Sequence, residues 1–206
     1  MKFPLFVTAD WHLGHESLIE YDNRPFSNVD YMEKVLIKRF NSIVPKNGTT
    51  FFAGDMGHHD RVSKVLKELN GTHILIIGNH DKGFYSAWNC GYKLVVYNAT
   101  LYIDKERVTI SHCPLMGVKR EDTSSFSNTE ENWHKEKYNE KYSVKNNGQF
   151  HLHGHIHARK DKSISKIKDG RQWDIGVTGN NYMPVSFSEI QKWIRETKLL
   201  ESQAQR

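Results

Sequence analysis

Cysteine is scarce in this chain: two residues in 206, Cys90 and Cys113. That is too few for a disulfide framework or a thiolate metal cage. Long apolar runs are missing too. No stretch approaches the roughly 18 consecutive apolar residues that a membrane-spanning helix needs. Met1–Asp10 lacks the extended apolar run and small-residue cleavage site of a secretory signal. A cytoplasmic protein without membrane contact is therefore expected. Internal repeats and low-complexity tracts are also lacking, which excludes solenoids and tails of biased composition. What is present suffices for a core: 37% of residues are hydrophobic and 12% aromatic, while a mean hydropathy of −0.68 implies a very polar surface. The length fits a single domain spanning residues 1–206. A net charge of +5 favours anionic partners such as nucleotides or nucleic acid, and nothing points to an obligate protein partner. The abundant residue is histidine, with twelve copies.

Apolar periodicity divides the chain into alternating strands and helices. Phe3–Val7 reads as a buried strand emptying into Thr-Ala-Asp. Between Val29 and Val44, the apolar residues Met32, Val35, Leu36, Phe40 and Ile43 recur at helical steps, with Pro45 and Gly48 ending the helix. Thr49–Ala53 is a second strand and Arg61–Leu69 a second helix, stopped by Asn70-Gly71. Strands are also predicted at Ile74–Ile77, Tyr92–Tyr97, Leu101–Ile103, Val108–Ser111 and Phe150–His153. Asp104-Lys105-Glu106 reads as a hairpin turn, and Glu189–Leu200 as a terminal helix. Lys119–Asn147 is dense in Lys, Glu, Asn and Ser around Trp133, Tyr138 and Tyr142, and reads as a surface insertion, partly helical near Glu130–Tyr142. The alternation predicts an α/β domain with largely buried sheets.

The chemistry-bearing residues fall in a pattern. Asp10-Trp11-His12 follows the first strand, Gly54-Asp55 the second and Gly78-Asn79-His80-Asp81 the third; Ser111-His112 ends another, and Gly154-His155-Ile156-His157 follows Phe150–His153. In α/β sheets the carboxyl ends of strands gather where sites form. Five segments spread over nearly 150 residues each deliver oxygen or imidazole donors directly after an apolar run. Asp, Asn and His without thiolate suit Mn²⁺, Fe, Zn²⁺ or similar ions. Seven such residues exceed what one tetrahedral ion takes, so two ions sharing a carboxylate is the natural count. The glycines beside Asp55, Asn79 and His155 permit tight turns and close backbone approach.

The ordered blocks D-x-H, G-D, G-N-H-D, H and G-H-x-H make the chain resemble the calcineurin-like metallophosphoesterases, from about Phe3 to Ile190. The resemblance implies a two-sheet αββα sandwich and a dinuclear centre whose bridging hydroxide attacks phosphorus in line. It implies that Asp10, His12 and His157 hold one ion, that Asn79, His112 and His155 hold the other, and that Asp55 bridges them. His80 would contact the substrate phosphate and assist the leaving group, with Asp81 orienting its ring. The ions expected are two divalent cations, Mn foremost, with Fe, Zn or Ni as alternatives. The substrates implied are phosphoesters: phosphodiesters of nucleotides or nucleic acid first, then phosphomonoesters on nucleotides or phosphoproteins. A non-catalytic, metal-bound scaffold is the alternative of another class.

Other residues are placed by their nearness to these blocks. His15 and Arg24 follow the first, and an imidazole and a guanidinium both suit phosphate binding. His58 and His59, with Asp60, come just after Asp55 and are expected at the mouth of the pocket. Trp11 is read as packing, Cys113 as a small buried hydrophobe, and His151 and His153 as structural groups beside the site.

Overall fold

The computed structural model describes residues 4–116, 141–158 and 167–205. Along the chain these form β1 (Leu5–Thr8), α1 (Ser17–Tyr21), α2 (Val29–Ile43), β2 (Thr49–Phe52), α3 (His59–Glu68), β3 (Thr72–Ile76), α4 (Phe84–Cys90) and β4 (Leu94–Val96). Then come β5 (Asn98–Ile103), β6 (Glu106–Ser111), β7 (Phe150–His153), β8 (Lys168–Asp169), β9 (Gln172–Asp174), β10 (Val185–Ser186) and α5 (Phe187–Ala204). The predicted insertion falls largely outside the described residues, as does most of its expected helix.

Two five-stranded mixed sheets result, ordered β10-β1-β2-β3-β4 and β5-β6-β7-β9-β8. In the first, β1 to β4 run parallel and β10 is antiparallel at the edge. In the second, β6, β7 and β9 are parallel, flanked by antiparallel β5 and β8. The chain is therefore α/β, and the period-2 alternation of each strand decides what each face covers. Phe6, Phe52, Leu75 and Val95 of the first sheet face a cluster with Met32, Leu36 and Phe40 of α2, Val62, Val65 and Leu66 of α3, and Ala87 and Cys90 of α4. Their neighbours Val7, Phe51 and Ile76 point the other way, into a second cluster with Val108, Ile110, Phe150 and Leu152 of the second sheet. The terminal helix α5 adds Ile190, Trp193 and Ile194 to that cluster, with Trp193 edge-on to Phe150 and Trp173 at 5.1 and 5.4 Å. Alternation also explains why the second sheet's other face is polar yet buried. Thr109, Ser111, His151 and His153 lie there, and His151 is satisfied by Thr109 Oγ1 at 2.9 Å and the Cys113 carbonyl at 3.1 Å.

Most element boundaries follow from local chemistry. The Asn28 side chain accepts the Tyr31 amide at 2.8 Å and starts α2. Asp104 and Lys105 both take positive φ, 50° and 68°, as a two-residue hairpin between β5 and β6 demands. Where expectation and structure part, the reasons are local as well. The predicted Tyr92–Tyr97 strand shrinks to β4, α3 opens at His59 rather than Arg61, and a seven-residue helix, α4, occupies a stretch with no apolar period. No helix among the described residues is long and apolar enough to cross a membrane.

Candidate metal centre

The carboxyl ends of β1, β2, β3, β6 and β7 meet at one edge, and the loops that leave them are laced together by backbone bonds. The Asp10 amide donates to the Gly54 carbonyl at 3.1 Å and the His12 amide to that of Asp55 at 3.0 Å, while the Gly154 amide donates to that of His112 at 2.9 Å. The lacing holds five of the seven predicted ligands in left-handed backbone: Asp10 (φ 58°), His12 (50°), Asp55 (55°), His155 (70°) and His157 (48°). For residues other than glycine this region is sparsely used and costs about 1 kcal/mol or more each. Five of the ten described non-glycine residues with positive φ are candidate ligands, and these turns aim their side chains at one place. Glycines make the close packing possible. A Cβ at Gly154 would lie 2.5 Å from Asp10 Oδ2, and one at Gly78 would collide with Asp55 Oδ1.

The side chains form two donor groups facing each other across Asp55. In one, His12 Nε2 lies 3.1 Å from His157 Nε2, and His157 Nε2 lies 3.9 Å from Asp10 Oδ1. In the other, Asn79 Oδ1 lies 2.7 Å from His112 Nε2 and 3.0 Å from His155 Nδ1. Asp55 Oδ2 sits between them, 3.3 Å from His112 Nε2 and 3.8 Å from His12 Nε2. Donors about 2.0–2.2 Å from one ion fall about 3–3.5 Å from each other; the 3.1, 3.0 and 3.3 Å separations lie in that range, and those of 2.7, 3.8 and 3.9 Å lie within half an ångström of it. Asp10, His12 and His157 bring their donor atoms within 4.8 Å of one another, as do Asp10, Asp55 and His112. So do His112, Cys113 and His155, which adds the Cys113 thiol to the neighbourhood. The donor set of carboxylate, amide oxygen and imidazole fits a divalent cation.

Outer partners fix the rings. His112 Nδ1–H donates to the Ala53 carbonyl at 2.7 Å, and His157 Nδ1–H donates to Asp22 Oδ2 at 2.7 Å. Each bond turns Nε2 toward the other donors, where a cation would take the place of its proton. Asp22 is in turn gripped by Arg24 Nε and an Arg24 terminal nitrogen at 3.1 and 3.0 Å. Arg24 therefore has a different role from the one predicted. It is buried, its remaining donors go to the Asp10 and Trp11 carbonyls at 2.9 and 3.0 Å, and no part of it is left for substrate. The reading of Asp81 needs the same correction. Its carboxylate accepts the Gly78, Asp55 and Met56 amides at 2.7, 3.1 and 3.1 Å, so it clamps two loops together instead of orienting the His80 ring. His59 turns to Asp60 at 3.3 Å and lines a neighbouring cleft with Lys82 and Ser86. His15, His58 and His80 do gather at the mouth, with ring centres 4.4 Å apart for His15 and His58 and 5.7 Å for His12 and His80. The His80 amide donates to Asp55 Oδ1 at 2.9 Å. Trp11 packs edge-on to Phe40 and Phe52, as expected.

Two contributors escaped the sequence reading. Asp22 is one. The other is Asp174, whose oxygens accept the Gly176 and Ala158 amides at 2.7 and 2.8 Å and so anchor the loop carrying His157. Neither lies in a motif block, and only a carboxylate sitting beside a glycine-rich strand end could have signalled Asp174.

Burial and proximity set the protonation states. Burial pushes His12 down to about 2 and His155 down to about 4, leaving both as neutral donors. For His112, burial is outweighed by Asp55, Asp10 and the Ala53 carbonyl, which carry it up to about 9. Asp55 shows the converse: despite burial, His112 and His12 hold it below the usual carboxylate range. Asp10 is raised by burial, against the pull of His157 and His112, and burial together with the charge of Asp10 raises Asp174.

No family model matches the chain. The uncharacterized protein MJ1445 of Methanocaldococcus jannaschii is 28% identical over 203 residues, which span 96% of this chain and 95% of that protein. A crystal structure of AQ665, a protein of unknown function from Aquifex aeolicus, shares the fold with a TM-score of 0.67, covering 93% of this chain and 100% of that one at 22% identity.

Proposed function

We propose that the chain is a metal-dependent phosphoester hydrolase with the two-sheet αββα sandwich and dinuclear centre of the calcineurin-like metallophosphoesterases, acting in the cytoplasm. The observation that carries this reading is Asp55 Oδ2, placed 3.3 Å from His112 and 3.8 Å from His12 between two separate donor groups. Asp10, His12 and His157 would hold one divalent ion, and Asn79, His112 and His155 the other. Such ions supply Lewis acidity toward phosphoryl oxygens and water. The chain's own residues do the rest. The carbonyl of Ala53 and the carboxylate of Asp22 lock the imidazoles. Asp81 ties the Asp55 turn to the Gly78 turn, so that both donor groups keep one spacing as charge shifts on the substrate. The His80 ring is exposed beside His12 and His15, where it can hand a proton to a departing oxygen. Diesters of nucleotides or nucleic acid are the preferred substrates, in keeping with the net charge of +5.

The test compares protein stripped of metal with protein reloaded with Mn²⁺, on bis-p-nitrophenyl phosphate and on p-nitrophenyl phosphate. Asp55→Ala runs in parallel, and bound metal is counted by elemental analysis. Diester turnover that requires metal and vanishes in Asp55→Ala is expected. Monoester preference would move the substrate to nucleotides or phosphoproteins. Bound metal without turnover on either compound would favour a non-catalytic role, and failure to bind metal would end the proposal.

A further inference from the structure

Sulfur stands at the edge of one half of the candidate centre. Cys113 is buried, and its Sγ belongs with donor nitrogens of His112 and His155 to a group whose members all lie within 4.8 Å of one another. A thiolate about 2.3 Å and an imidazole nitrogen about 2.0–2.1 Å from one ion stand about 3.6 Å apart at a tetrahedral angle. A small turn about the Cys113 Cα–Cβ bond therefore closes the distance to shared coordination. Cys90 gives the contrast. It is buried as well, but its thiol turns to the His59 carbonyl at 3.7 Å, and it enters no donor group among the described residues.

The peptide that carries the Cys113 thiol is held from both sides. Its amide donates to the Tyr142 carbonyl at 2.9 Å, and its carbonyl accepts the Ser111 hydroxyl at 2.9 Å and His151 Nε2–H at 3.1 Å. A carbonyl can only accept, so the His151 proton sits on Nε2, and Nδ1 accepts from the Thr109 hydroxyl at 2.9 Å. The buried polar face of the second sheet thereby acquires a task. Thr109, Ser111 and His151 are all buried, which is costly for polar groups, and together they fix the direction in which the thiol projects. A residue that merely filled apolar space would need no such anchoring. The two halves of the centre then differ in softness. Asp10, His12 and His157 offer carboxylate and imidazole alone, whereas the other half adds sulfur to His112, His155 and the Asn79 amide oxygen. Thiolate favours Zn²⁺, while carboxylate and carbonyl oxygen suit Mn²⁺.

We propose that Cys113 is a further ligand of the half formed by Asn79, His112 and His155, and that its sulfur raises the preference of this half for Zn²⁺ over Mn²⁺. On binding, the S–H proton leaves to solvent and the sulfur electron pair goes to the cation. The proposal rests on the reading of the centre given above and adds to it a ligand and an ion preference.

Co²⁺ is the probe, because a thiolate bound to it gives a sulfur-to-metal charge-transfer band in the near ultraviolet that imidazole and carboxylate ligands do not. The full chain, stripped of metal and kept reduced under anaerobic conditions, is titrated with Co²⁺, and bound metal is counted on the same samples. Wild type and Cys90→Ala should show the band, whereas Cys113→Ala and Cys113→Ser should bind cobalt without it. Cys113 is the thiol that remains in Cys90→Ala, so that variant decides the matter even if a Cys113 variant misfolds. In competition calorimetry, Cys113→Ala should lower the ratio of Zn²⁺ to Mn²⁺ affinity at least about tenfold, the loss that follows removal of even an outer partner of a metal ligand. An unchanged ratio overturns the ion preference. A band that persists in Cys113→Ala, or is missing from Cys90→Ala, overturns the ligand. The metal count keeps the two proposals apart. Two cobalt ions per chain without a band remove Cys113 and leave the dinuclear centre standing. A Cys113-dependent band with one ion per chain supports the ligand and removes the dinuclear reading, and failure to bind cobalt removes both.

Discussion

At the scale of the residue, Asp22 shows how much a single buried carboxylate can organise. One of its oxygens accepts from His157 Nδ1, from two Arg24 nitrogens and from the Thr178 hydroxyl. Despite burial, His157 and Arg24 hold its carboxyl down at about 2. Removing it would leave a guanidinium inside the protein without a counter-charge and an imidazole free to turn. Breaking a buried pair from one side costs about 3–5 kcal/mol, and losing the group that orients a metal-binding imidazole costs about 10–100-fold in affinity. Asp22→Ala is therefore expected to lower the urea midpoint strongly and to weaken Mn²⁺ binding by that factor in calorimetry. Asp22→Asn, which keeps an acceptor for His157, should lose less on both counts. Unchanged metal affinity in Asp22→Ala would show that His157 needs no such anchor. The residue's acid behaviour has a definite sign. Because its folded value lies below the ordinary one, its contribution is present above about pH 4 and is lost as pH falls toward about 2.

At the scale of the element, termini were decided by side chains that can be read locally. Ser186 accepts the Glu189 amide at 3.3 Å, and Glu189 returns to the Ser186 amide at 2.8 Å. This capping box starts α5 two residues before the periodicity at Glu189 would suggest. Ser186→Ala should cost about 1 kcal/mol, seen as a lower urea midpoint with an unchanged slope; no loss would mean that Ile190, Trp193 and Ile194 hold the helix end without it. The run of β-type residues at Thr49–Phe52 and the alternating Phe150–His153 were legible, and so were α2 and α3, whose apolar stripes face the first sheet. Helix α4 was not, because its aromatics face outward and its seven residues hold too few turns for a period to emerge. The two-residue strand β10 was hidden for another reason: a partner distant in sequence defines it, Val185 pairing with Val7. The same distinction runs through the site. Ligand types were legible from their blocks, since each follows an apolar run, but the second partner of a side chain was not. Arg24, next to a motif, looked available to a phosphate, yet the fold spends every one of its nitrogens on Asp22, Asp10, Trp11 and Met32. Asp81 looked like the natural partner of its neighbour His80, but the Gly78–Asp81 turn closes on itself, and Asp81 takes the Gly78 amide instead.

At the scale of the molecule, two sheets converge on a centre that buries Asp10, Asp55 and Asp174 within a few residues' reach of one another, each 1% exposed. Several carboxylates in so dry a place need compensating charge. In the absence of a cation the compensation comes from His112, which Asp55 and Asp10 raise to about 9 against the effect of burial, and from His157, which Asp10 and Asp22 raise likewise. A histidine whose folded value exceeds its unfolded value of about 6.5 stabilises fully below that value. Its contribution is lost as pH climbs through the folded one. Metal-stripped protein is therefore expected to lose several degrees of melting temperature between about pH 6.5 and about 9, and the loss should shrink in His112→Gln. A bound cation replaces the proton as the compensating charge, so the reloaded protein should stay level or rise across the same window, because fewer protons compete for the imidazoles. Calorimetric scans of both forms at several pH values check this directly. Parallel curves for stripped and reloaded protein would mean that the carboxylates are compensated by something other than His112 and a metal ion. Divergence that opens above about pH 6.5 would tie the stability of the whole fold to the charge held at the junction of its two sheets.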